Sequence, residues 1–204
     1  VTSQAKEDRL VHGIFTGASR QVFEHAAALA RECNITYLPK AVKKVVAYLE
    51  PEEFSSFWVG NKAVYRTRVA IADGGELIIL APGVTKFGED AQCDKLIRKY
   101  GYKGRLHTLD EFNKPENTDL RDNMGAAAHL IHGSSDGRFS IIYAVKEISQ
   151  AEIEGVGFQS ASYDELAKKY DPEKLRYGYN IVDNEEIYFI SNPALGLWMN
   201  KEKL

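Results

Sequence analysis

Hydrophobic and polar positions change their spacing several times along the chain, and each change predicts an element. Residues 10–15 form a short apolar run ending at Thr16-Gly17, which reads as a strand and a glycine turn. Val22, Ala26, Leu29 and Cys33 then recur every three or four positions, predicting a helix over residues 21–32 with Ser19 as its N-cap. Residues 35–38 follow, and then 42–49, where Val45, Val46, Tyr48 and Leu49 predict a buried strand closed by Pro51. After an aromatic loop with Phe54, Phe57 and Trp58 comes Gly60-Asn61, and residues 62–73 read as a helix stopped by Gly74-Gly75. The continuously apolar stretch Leu77-Ile78-Ile79-Leu80, within a strand over residues 76–81, suits a parallel strand covered on both faces. Pro82-Gly83 turns the chain out of it.

Helices are predicted at residues 90–99, 109–112 and 119–132, the last ending at Gly133, and a further central strand at 139–145. Two short helices follow at 149–154 and 162–169, the second with Ser162 and Glu165 placed as a capping box. Residues 177–182 and 187–191 flank Asp183-Asn184-Glu185-Glu186, a pattern that fits either a hairpin or two separate edge strands. Strands alternating with helices predict a mainly parallel, Rossmann-like α/β sheet with helices on both faces and right-handed crossovers, formed as one domain over residues 1–204. Ligands of such sheets bind beyond the carboxyl ends of the strands. The polar stretch 113–119 reads as a surface loop.

Composition narrows the function classes. A formal net charge of -3 supplies no positive field for nucleic acid or an anionic membrane. The apolar runs are far short of the roughly 20 residues that a membrane helix requires. The polar opening, residues 1–8, holds no signal-like apolar run, so the expected location is the cytoplasm, and a first residue other than Met points to a piece of a longer protein. Cys33 and Cys93 stand 60 positions apart in helical segments, where buried free thiols are the expectation.

Candidate chemistry concentrates in one segment. Lys62, Tyr65, Arg66 and Arg68 fall within two turns of a helix opened by Gly60-Asn61, and the first three lie on neighbouring faces by i, i+3 and i+4 spacing. Cations near a helix N-terminus can clamp a carboxylate or phosphate; the same pattern also fits a solvated cationic face with Tyr65 packed beneath it. His129 and His132, at i and i+3, have a metal-ligand spacing but no third ligand at a zinc interval, and they suit the negative end of a helix dipole equally. His12, His25 and His107 are isolated. Asp73-Gly74 and Asp136-Gly137 read as helix-end and turn signals before strands. Gly155-Val156-Gly157 lacks the third glycine of a dinucleotide fingerprint, and no P-loop, G-x-S-x-G or H-E-x-x-H motif occurs.

Residues 14–28 (IFTGASRQVFEHAAA) and 65–90 (YRTRVAIADGGELIILAPGVTKFGED) resemble the C-terminal half of the nickel-dependent lactate racemase family, a likeness that extends over roughly residues 10–200. The resemblance implies an isomerase built from two α/β domains that face each other across a cleft holding a nickel-pincer nucleotide. The lysine tether, the histidine that ligates nickel and the histidine acid/base pair belong to the family's N-terminal domain. Its D-D-x-T-R-P-type phosphate loop and histidine-rich segments do not occur here. This half is therefore expected to carry no catalytic acid or base, no metal ligand and no cofactor of its own, and to be inactive without the N-terminal domain of the same protein. Its expected role is to bind a small 2-hydroxy acid or sugar acid through Lys62, Tyr65, Arg66 and Arg68. Tyr65 matches the family's tyrosine, Arg66 stands where glutamine is usual, and Val69 occupies the usual lysine position, so the cation falls to Arg68 or Lys62. Met124 stands near the place of an aromatic residue that shields the cofactor. The implied chemistry removes hydride from the hydroxyl-bearing carbon and returns it to the opposite face. A reading from another class also stands: a self-sufficient module that binds a small carboxylate or a nucleotide with the same cationic helix.

Overall fold

The structure, a computed structural model, describes residues 1–5 and 8–203. The polar opening segment is therefore seen only in part. At its centre is a six-stranded sheet made from β4 (Val42–Tyr48), β5 (Ile71–Ala81), β6 (Ser140–Val145), β7 (Gln159–Ser160), β8 (Gly178–Val182) and β9 (Glu185–Ile190). Their order is β7-β6-β5-β4-β9-β8, with every neighbouring pair parallel except β8 and β9. The mainly parallel α/β sheet expected from the alternation of elements is what forms.

Side chains of the central strands alternate between two cores. Val45, Ala47, Leu77, Ile79, Ile141 and Tyr143 point into the larger one, and Val46, Ile78, Leu80, Ala144 and Phe189 into the smaller. Being apolar on both faces is the reason these strands read as continuous hydrophobic runs. The larger core is covered by α2 (Phe57–Gly60), α3 (Lys62–Thr67), α4 (Ala91–Tyr100), α5 (Arg105–Asn113), α6 (Thr118–Arg121), α7 (Met124–His132) and α8 (Gln150–Gly155). Among the described residues, α9 (Tyr163–Lys169) and the loop through Tyr170 and Leu175 pack on the other face.

Several sequence expectations change in the structure. Residues 10–15 do not enter the central sheet: β1 (Thr2–Ala5) and β2 (Asp8–Val11) form a separate antiparallel pair, and Leu10, Val11 and Ile14 are exposed. The helix expected over residues 62–73 ends at Thr67, and Ile71 already pairs with Val42 as the start of β5. Gly74-Gly75 consequently stops no helix. The pair lies where the register of β4 and β5 shifts, Gly74 has φ +73°, and a Cβ on Gly75 would meet the Lys43 carbonyl oxygen at 2.8 Å. The helix expected over 119–132 breaks in two because Asn123 caps the second part, its Oδ1 accepting the Ala126 N–H at 2.9 Å. Residues 109–112 belong to the longer α5. Between the two readings of residues 177–191 the hairpin is correct, with Asp183 and Asn184 at φ +50° and +65° as a tight primed turn demands.

The remaining elements lie at the edge that matters for function. α1 (Arg20–Asn34) is capped by Ser19, as its sequence predicts, and has no fully buried residue. It leads into β3 (Ile35–Leu38), which pairs in parallel with β10 (Leu197–Asn200) to form a third small sheet. A 3-10 turn at Pro193–Leu195 precedes β10. Both cysteines are free thiols, Cys93 buried and Cys33 partly so.

Candidate functional site

A cavity of about 710 Å³ opens between α1, α3 and the chain from Ala194 to Leu197. Its wall combines small apolar side chains, among them Ala27, Ala30 and Ala194, with Asn34, Tyr65, Arg31 and Arg66. Among the described residues no Asp or Glu lines it, and the two charged residues there are arginines. An open cleft with mostly apolar walls and a few polar groups is a common form of small-ligand site.

Of the four sequence-predicted binding residues, the fold brings Tyr65 and Arg66 together in this cavity and takes the other two elsewhere. Arg66 is held by the wall itself: its Nη1 donates to the carbonyls of Pro193, Ala194 and Gly196. The half-buried Tyr65 phenol is pushed above its ordinary pKa by burial, opposed by the charge and hydrogen bond of Arg66. It is therefore a neutral hydroxyl at physiological pH. Lys62 sits over the Phe54 ring, 5.9 Å from its centroid. Arg68 pairs with Asp136 at 3.0 Å, and Asp136 also accepts the Arg105 N–H at 2.6 Å, which gives the Asp136-Gly137 turn an anchoring role. Met124, the first residue of α7, is 70% exposed and does not line the cavity.

Because Arg66 binds backbone oxygens of the 3-10 turn, its truncation has a structural readout. Arg66→Ala is expected to cost about 1–3 kcal/mol, the range for charged hydrogen bonds that leave buried acceptors unmatched, and to speed amide exchange at Leu195 and Leu197. Exchange rates and stability equal to wild type would show that the turn does not depend on the guanidinium.

The platform under α3 explains its position. Asn61, fully buried between α2 and α3, accepts a 2.7 Å hydrogen bond from the Tyr143 hydroxyl on β6. Thr67 donates back to the Ala63 carbonyl at 2.5 Å, and Arg138 binds the carbonyls of Arg68 and Ile71, so the turn into β5 is fixed from both ends. His129, whose ring lies 4.0 Å from Trp58, is buried with its Nε2 unpartnered among the described residues. Burial, reinforced by the neighbouring charge of His132, lowers its pKa to about 4. Inside the core, His129 packs against Trp58 and against Tyr102, whose ring centroid is 5.6 Å away. Among the described residues no cluster of three or more His, Cys, Asp or Glu could hold a metal ion.

A second crevice, about 1060 Å³, lies beyond the carboxyl ends of β4 and β9, where the sequence reading directs attention in a parallel sheet. Its wall has Glu50, Asp164, Asp171 and Glu173 against Lys168 and Lys174, a sign opposite to that of the first cavity. Among the described residues the cavity of Tyr65 and Arg66 is accordingly the more electropositive of the two. The residues there that sequence reasoning did not single out are Arg31, Asn34 and the stretch from Ala194 to Leu197. Arg31 does follow Ala27 and Ala30 at helical spacing, but nothing in the sequence shows which surface that face of α1 meets.

No known protein family profile matches the chain, and no curated protein matches it in sequence. Solved structures do. A protein from Thermotoga maritima superposes with a TM-score of 0.65 at 22% identity, covering 89% of this chain and 42% of its own. The lactate racemase apoprotein from Thermoanaerobacterium thermosaccharolyticum superposes with a TM-score of 0.59 at 13% identity, covering 89% of this chain and 41% of its own. The chain thus has a fold found in a lactate racemase and spans about two-fifths of the length of these structures.

Proposed function

We propose that this chain is the substrate-cleft half of a 2-hydroxyacid racemase or epimerase of the nickel-dependent lactate racemase type, completed by a cofactor-bearing N-terminal domain that lies outside it. The observation that carries the reading is the meeting of Tyr65 and Arg66 in a cavity whose charged residues, among those described, are arginines, within a fold shared with a lactate racemase. Among the described residues no group of three or more His, Cys, Asp or Glu is gathered, and this reading assigns nickel to the N-terminal domain. No step of the chemistry is therefore assigned to nickel on this chain.

What this half contributes is binding and orientation. An arginine-lined cavity holds a carboxylate by charge-assisted hydrogen bonds, and the neutral Tyr65 hydroxyl donates or accepts beside it, fixing which face of the hydroxyl-bearing carbon is presented. Small apolar residues on the wall fit a short carbon chain. Met124, exposed at the start of α7, is free to contact a group held outside the chain.

The test is enantiomer interconversion by the full-length gene product, purified from a host that makes the cofactor and followed by chiral chromatography. Activity on a 2-hydroxy acid in the full-length protein, absent from the 204-residue chain alone, is the expected result. A native gene product that comprises this chain only, binds carboxylates and interconverts nothing would replace the racemase reading with that of a self-sufficient carboxylate-binding module.

A further inference from the structure

The cavity contains two arginines in unlike states. Arg66 already spends its Nη1 on three backbone carbonyls of the opposite wall. Arg31, on the last turn of α1, faces the same cavity, is exposed, and among the described residues makes no hydrogen bond or ion pair. Among the described residues no carboxylate lines the wall to neutralise either of them. A guanidinium presents a planar fork of donors that matches a carboxylate, and a fork with open donors can bind one without first breaking protein contacts.

We propose that Arg31 is the residue that takes the carboxylate of a small hydroxy acid in this cavity, while Arg66 holds the wall against which the acid lies. Asn34 lies one turn on, at the end of the same helix, and Tyr65 lines the same cavity from α3, so a polar amide and a neutral hydroxyl are available to serve the 2-hydroxyl of the bound acid. The small side chains of Ala27 and Ala30, at i-4 and i-1 from Arg31, leave room for the acid on the face of α1 that carries the guanidinium. The ligand class is a short monocarboxylate bearing a hydroxyl. This inference rests on the cleft reading above and adds to it a residue from a different element.

Heteronuclear NMR titration of the chain tests it, with sodium lactate as probe and 1,2-propanediol and inorganic phosphate as comparisons. Lactate is expected to shift the amide signals of Asn34, Leu195, Gly196 and Leu197 saturably, whereas the diol, which lacks the carboxylate, shifts none. Arg31→Gln is expected to weaken lactate binding about tenfold or more and Arg31→Lys only a few-fold, with the rest of the spectrum unchanged because the side chain is exposed and makes no hydrogen bond or ion pair among the described residues. Lactate binding to Arg31→Gln as tight as to wild type would overturn the role of Arg31 and leave the cleft reading standing. Saturable shifts with phosphate and none with lactate would overturn the carboxylate class. Wild-type protein indifferent to lactate and also to gluconate, a longer sugar acid, would remove the cleft reading along with this inference.

Discussion

Phe57→Ala is expected to destabilise the protein by about 3–5 kcal/mol, the usual cost of emptying a fully buried aromatic position. The Phe57 ring lies 4.7 Å from Phe87, 4.2 Å from Tyr143 and 5.9 Å from Phe158, centroid to centroid, at the head of α2. Its N–H also donates to the Lys86 carbonyl at 3.0 Å, so the residue joins α2 to the loop after β5 and to β6 at once. Because α2 leads into α3 through the buried Asn61, the same cluster sets where Tyr65 and Arg66 stand. A loss of this size is a large part of the roughly 5–15 kcal/mol by which domains are stable. Urea unfolding measures it, with Phe23→Ala as the comparison: Phe23 is 71% exposed on α1 and its truncation is expected to stay within about 0.5 kcal/mol. Equal midpoints for the two variants would show that the aromatic cluster is not packed as described.

Stability is also expected to rise with pH between about 4 and 6.5, by roughly 3 kcal/mol over the window, on account of His129. Buried against Trp58 and near His132, its imidazole has a folded pKa of about 4, whereas the unfolded chain gives an ordinary histidine near 6.5. The unfolded state therefore binds the proton first as the pH falls. The stabilisation is complete above the unfolded value and is lost on the way down to the folded one. Asp119, held below the usual aspartate value by the Tyr100 hydroxyl and Lys99, releases its contribution only below about pH 4, outside this window. Unfolding midpoints at pH 7.5, 6.5, 5.5 and 4.5 give the slope, and His129→Phe, which keeps a ring beside Trp58 and removes the titration, is expected to flatten it. A slope unchanged in that variant would assign the effect to other groups.

How far the sequence carried the fold can be followed residue by residue. β4, β6 and the apolar half of β5 were legible because a strand buried on both faces needs an unbroken hydrophobic run. Ser19 and Ser162 were legible because capping depends on a few local atoms, whereas residues 177–191 fitted a hairpin and two separate edge strands alike until the pairing of β8 with β9 decided for the hairpin. Where local signals misled, a distant partner had overridden them. Gly74-Gly75 carries the signature of a helix stop, yet β4 draws residues 71–75 into the sheet and Arg138 ties them there. Residues 10–15 look like a core strand, but only Leu10 and Val11 are in a strand, and they pair with β1, away from the central sheet.

The site divides in the same way. Sequence by itself determined that the molecule is an α/β protein with a mainly parallel sheet, that a cluster of cations lies between Lys62 and Arg68, and that no common catalytic motif accompanies it. These properties are written in periodicity, capping and residue type, all of them local. Tertiary structure alone decided that Arg66 turns to the carbonyls of residues 193–196 while Arg68 turns to Asp136, and that Arg31, some 35 positions before Arg66, comes to face the same cavity. The reason is physical: a guanidinium goes to whichever acceptors the packed chain leaves within reach, and those acceptors come from segments whose meeting is fixed by the burial of the sheet, not by neighbours in sequence.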